Sequence, residues 1–140
     1  KGTLPGKALT ASFKKKLSDV YKKKTGKDLT EFSYGAETYD AVMLAAIAAQ
    51  AAKSATGPGV RSQITNISLA GPGKTRVTNY KAALAALNAG KKVNYDGVSG
   101  PVEFDKNGDP TGAFIGIYRF NAKGTYSDNL IRVVAGNTVR

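Results

Sequence analysis

The sequence predicts an α/β fold in which helices come first and β-strands last. Apolar residues recur three and four apart up to about residue 89, which is helical spacing. After residue 112 the chain changes to runs rich in β-branched and aromatic residues, which favour strands. Clusters of glycine, proline and asparagine separate the segments. With 140 residues, 41% of them hydrophobic, the chain is long enough for one domain with a real core.

The first helix is expected over Pro5–Thr25. Leu9, Phe13, Leu17, Val20 and Tyr21 form one stripe, and most of the lysines fall on the other side. Gly26 stops this helix, and the lysines of its last turn suit the negative end of the helix dipole. A second helix, capped by Thr38, runs to about Lys53; it has seven alanines between 41 and 52 and hardly a charge. A helix apolar on nearly every side must be buried from several directions. Gly57-Pro58-Gly59 breaks the chain before a short third helix carrying Val60, Ile64 and Ile67. A fourth covers about Thr78 to Ala89 and is closed by Gly90. The strands follow: a short one with Val102 and Phe104, a longer one over Ala113–Phe120, and another over Tyr126–Val134. Asn121-Ala122-Lys123-Gly124 is a hairpin turn between the last two. This order lacks the strict alternation of a self-contained parallel α/β domain, so part of such a domain is expected to be missing.

The chemistry open to the chain is narrow. It contains no cysteine and no histidine, which excludes disulfides, zinc–thiolate sites, cysteine nucleophiles and histidine-based triads. Zero cysteine suits a secreted protein and a cytosolic one equally. The longest apolar stretch, Ala41–Ala52, falls short of the ~20 residues that span a bilayer. No signal-peptide pattern opens the sequence, which begins at Lys1. Gly71-Pro72-Gly73-Lys74 lacks the spacing of a phosphate-binding loop and reads as a turn. Asp105-Lys106-Asn107-Gly108-Asp109 starts like a calcium loop, then has Pro110 at the sixth position and Gly116 at the twelfth; it reads as an Asx/Gly turn between strands. No carboxylate pair is spaced as acid/base partners, and no serine sits in a nucleophile motif. No catalytic residue, metal site or cofactor is expected.

The net charge of +11 raises nucleic-acid binding. Much of the excess lies in Lys14-Lys15-Lys16, Lys22-Lys23-Lys24 and Lys27, with only Tyr21 near enough to stack on a base. Readers of nucleic acid mix arginine and exposed aromatics into such patches. A solvated helix face is therefore the preferred reading. A basic nucleic-acid-binding domain, or a surface for an anionic envelope, is the rival.

Two stretches carry more than composition. The segment Phe32-Ser33-Tyr34-Gly35-Ala36-Glu37-Thr38-Tyr39-Asp40-Ala41-Val42 resembles the type I periplasmic binding proteins, where an aromatic-containing loop precedes a "Y-D-A-V" helix. Tyr95-Asp96-Gly97-Val98-Ser99-Gly100-Pro101-Val102-Glu103-Phe104-Asp105-Lys106-Asn107-Gly108-Asp109-Pro110 is similar to a stretch near that family's C-terminus. Within that family the resemblance points to the leucine/isoleucine/valine-binding proteins and their amino-acid- and amide-binding cousins.

The resemblance implies a fold of two α/β lobes joined by three crossovers, with a ligand clamped between them. It implies that this chain is the C-terminal part, residues 1–112 completing the first lobe and 113–140 giving the second its last strands. The implied function is non-catalytic capture of a small solute, an amino acid or related amide, for delivery to an ABC permease. The location implied is periplasmic or extracellular, with a lipoprotein anchor as an option, and a ligand-sensing domain of a receptor as an alternative role. A further expected partner is the complementary N-terminal portion or a second copy of the chain. By its position before the "Y-D-A-V" helix, Tyr34 corresponds to the aromatic that lines the cleft; the alternative is a buried core tyrosine. Glu37 faces the cleft or simply favours the helix dipole.

Overall fold

The structure, a computed structural model, describes residues 1–126 and the backbone of the strand 131–136. The elements run β1 (Gly2–Pro5), α1 (Ala11–Thr25), α2 (Gly35–Ala52), α3 (Gly57–Ser68), β2 (Lys74–Val77), α4 (Tyr80–Asn88), β3 (Lys92–Tyr95), β4 (Gly112–Tyr118) and β5 (Ile131–Gly136). They form two sheets. β4 is the centre of an antiparallel sheet in the order β1-β4-β5. β2 and β3 pair in parallel and are joined through α4, a βαβ unit.

The core forms where α2, α3 and α4 cover that parallel pair. Leu44, Ile47 and Ala48 of α2 meet Ile67 of α3, Ala83 and Ala86 of α4, and Val77, Val93 and Tyr95 of the two strands. Small alanines let α2 approach closely, while Leu44 and Ile47 supply the apolar area. The opposite face of α2, with Ala41, Val42 and Ala45, stays exposed, so the helix is covered on one side only.

Several expectations are corrected in detail. The first helix begins at Ala11, because Thr10 caps it by accepting from the Phe13 amide at 3.2 Å, and Gly2–Pro5 pairs with β4 instead. It ends at Gly26, whose φ of 72° is the left-handed conformation expected of that stop. The second helix starts at Gly35, not beyond Thr38. Gly57-Pro58-Gly59 opens α3 rather than breaking the chain: Thr56 caps it, and a proline in the first turn forfeits no hydrogen bond. Val102 and Phe104 lie outside any strand, in a segment held by the isolated bridges Asp96–Pro101 and Phe104–Pro110. Helices do precede the long strands β4 and β5, but three short strands, β1, β2 and β3, lie earlier. Of the strand expected over Tyr126–Val134, residues 127–130 lie outside the described residues.

The hairpin turn is present, with the Gly124 amide bonded to the Asn121 carbonyl at 3.1 Å. So is the Asx turn, in which Asp105 Oδ1 accepts from the Asn107 and Asp109 amides. The boundary drawn at residue 112 falls on the first residue of β4, and β1 pairs across it.

Candidate functional site

The site is built around a carboxylate. Asp40 lies in the second turn of α2, only 1% exposed, and both its oxygens are used. Oδ1 accepts from the Tyr95 hydroxyl at 2.7 Å and the Val98 amide at 3.1 Å. Oδ2 accepts from the Ser99 amide at 2.7 Å and the Ser99 hydroxyl at 2.5 Å. A buried carboxylate is tolerable only when fully hydrogen-bonded, and here four donors meet the need. Burial and the bond to Asp40 raise the Tyr95 hydroxyl above its ordinary pKa, which keeps it a donor. Gly97 leaves room for the contact, since a Cβ there would collide with the Asp40 carboxylate. The "Y-D-A-V" helix and the Y-D-G-V-S-G loop, seen in sequence as separate motifs, are thus one structure.

That anchor fixes the N-terminal end of α2, where both predicted site residues lie. Tyr34 is the residue before the helix, with φ of 61°, a left-handed conformation uncommon for a side chain of its size. It is 59% exposed. With Leu17, Val20, Tyr21, Phe32, Tyr39 and Val42 it lines an open apolar groove of about 510 Å³ between α1 and α2. Val20 and Val42, 55% and 64% exposed, stand open in that groove. Of the α1 stripe only Phe13 is buried, packed edge-on against Tyr39 at 5.3 Å.

Glu37 lies one turn further on and lines a different, smaller hollow of about 180 Å³ with Ser99, Phe104 and Phe114. Burial raises its carboxyl above the ordinary value, and the nearby Asp40 charge adds to the shift. The structure therefore places Tyr34 and Glu37 at one helix end without bringing them into one pocket.

Lys15, Lys22 and Lys23 are exposed, and two pairs, Lys15–Asp19 and Lys22–Asp28, close at 2.8 Å on the surface. Lys14 and Lys16 lie over the rings of Phe32 and Tyr39. Among the described residues no cluster of acidic side chains is arranged to hold a metal ion. Nor is any described helix long and apolar enough to cross a membrane.

Sequence reasoning missed Asp40 and Ser99, and also Arg76, which pairs with Asp96 at 2.5 Å across the ends of β2 and β3. The signal for Asp40 was available: an acid within an otherwise apolar helix needs donors from elsewhere in the chain.

Comparison with known proteins agrees with this architecture. Residues 5–121 match the family described as the receptor family ligand binding region. No curated protein matches the chain. Among solved structures, the leucine-binding protein LivK of Thermotoga maritima is similar, with 22% identity and a TM-score of 0.50. That match covers 95% of this chain but 29% of the other, so the chain spans less than a third of that protein. The chain belongs to the receptor family ligand binding region and carries part of the type I periplasmic binding protein fold.

Proposed function

We propose that the chain is part of a solute-binding protein that captures an amino acid or related amide, without chemical change, and delivers it to an ABC-type importer outside the cytoplasm. The observation that carries this reading is Tyr34. It stands exposed at the N-terminal end of α2, in a strained backbone conformation, on an open apolar groove. Strain of this kind costs on the order of 1–3 kcal/mol, and it persists where surrounding structure imposes it, often at ligand sites. An aromatic wall of this sort suits the apolar part of a small ligand.

In this reading residues 1–112 belong to the first lobe and 113–140 to the second, except that β1 lies on the sheet of β4 and β5 and goes with the second. The complementary portion of the protein would cover the exposed face of α2 and supply the groups that grip the ligand's amino and carboxylate ends. Capture would proceed by hinge closure of the two lobes around the ligand, with contacts made only in the closed state supplying the differential affinity. Glu37 would face the cleft margin from one turn further along.

The test is a panel of amino acids and amides added to a two-lobed protein carrying this chain, followed by thermal unfolding and by recovery of the ligand. The expected result is a higher midpoint with at least one apolar amino acid, recovered unaltered. A panel without any stabilising ligand, or a ligand returned chemically changed, would refute the proposal.

A further inference from the structure

We propose that the groove between the ends of β2 and β3 and the strand β4 is a second binding site, one that takes a small organic anion: a carboxylate carried on a compact apolar body. The groove measures about 500 Å³, within the range of small-molecule sites. It lies at the C-terminal ends of two parallel strands, where open α/β sheets leave a crevice. Lys7, just after β1, and Phe114 of β4 close it from the other sheet.

The charges in this groove are unbalanced. Arg76 sends both Nε and Nη2 to a single oxygen of Asp96, each at 2.5 Å. The Asp96 side chain is almost buried, whereas that of Arg76 is largely open to solvent. The one acid is thus spent on one base, and Arg76 Nη1 has no protein acceptor among the described residues. Lys7 has no ion-pair partner among the described residues either; its ammonium rests 4.5 Å from the centre of the Phe114 ring. Two cations with donors in hand face one groove whose carboxylate is already paired.

A carboxylate fits that arrangement. Its planar pair of oxygens matches the open guanidinium edge at Nη1 and Nη2, and the Lys7 ammonium adds a point charge from the opposite wall. Phe114 and Pro101 give the body of the ligand an apolar surface. Gly100 keeps that surface clear: its φ is 124°, and a Cβ there would lie 2.8 Å from the Phe114 ring. None of these residues lines the Tyr34 groove, so substitution of Tyr34 separates the two sites.

The experiment is an NMR titration of the chain with sodium benzoate at low salt, run beside neutral benzamide and cationic benzylamine. The expected result is saturable shifts confined to Lys7, Arg76, residues 97–101 and Phe114, with benzoate binding tightest of the three. Lys7→Gln and Arg76→Gln should each weaken benzoate at least fivefold, and Tyr34→Ala should leave it unchanged. Arg76→Gln also strands the Asp96 carboxylate, so Lys7→Gln, which leaves the Arg76–Asp96 pair intact, is the deciding variant. Absence of saturation, benzamide or benzylamine binding as tightly, or unchanged benzoate affinity in folded Lys7→Gln would overturn the proposal.

Discussion

Replacing Asp40 by alanine should be among the most damaging single changes in the chain. The carboxylate holds four donors from β3 and the loop after it, and the Tyr95 hydroxyl among them belongs to a fully buried residue. Hydrogen bonds to a charged acceptor contribute about 1.5–3 kcal/mol each, but the native state also bears the desolvation of that charge. Removing one member of such a buried set typically costs about 3–5 kcal/mol. Asp40→Asn keeps the volume but turns one acceptor into a donor facing donors, so about 2–3 kcal/mol is expected. For a chain of this size each kcal/mol moves the midpoint by roughly 2–5 °C. Urea denaturation followed by circular dichroism gives the difference in stability directly. If both variants stay within about 1 kcal/mol of the parent, the carboxylate does not hold α2 to the 95–99 loop, and the account of how the two motifs join is wrong.

Three further outcomes are expected. Burial raises the Glu37 carboxyl, so its contribution favours the folded state below the ordinary carboxylate pKa and is lost as pH rises through the raised value; Glu37→Gln should flatten the stability profile across that window, and an unchanged slope would contradict the burial. Gly97→Ala should destabilise the chain, because the added methyl meets the Asp40 carboxylate; unfolding midpoints equal to the parent's would show that the loop yields freely. Val20, Tyr34 and Val42 leave a contiguous apolar face open, so sedimentation at low micromolar concentration should show association with a second copy, whereas a monomer with cooperative unfolding would show that the chain is self-sufficient.

The long elements were legible because their signals are redundant. α2 has a dozen apolar positions in near-continuous sequence, and β4 has Phe114, Ile115, Ile117 and Tyr118 in a short run. The strands β2 and β3 were hidden by their length. Lys-Thr-Arg-Val and Lys-Val-Asn-Tyr are four residues each, with polar side chains at most positions, and their pairing depends on α4 bringing them together. Gly57-Pro58-Gly59 misled because proline and glycine punctuate in two ways, and only the Thr56 cap distinguishes a helix start from a break. The position of Tyr34 before its helix could be named from the motif. Its left-handed backbone and the groove beneath it could not, since both depend on where α1 packs. Asp40 and Arg76 find partners 55 to 59 and 20 residues away, separations that no local pattern reports.

The most direct test of the central claim is a calorimetric titration, into a two-lobed protein carrying this chain, of whichever amino acid or amide raises its unfolding midpoint most, with and without Tyr34→Ala. Saturable one-to-one binding is expected in the parent, weakened by about 1–3 kcal/mol in the variant through lost aromatic contact and any hydroxyl bond. Equal affinity in parent and folded variant would remove Tyr34 from the ligand's surroundings and the proposed function would lose the observation that carries it.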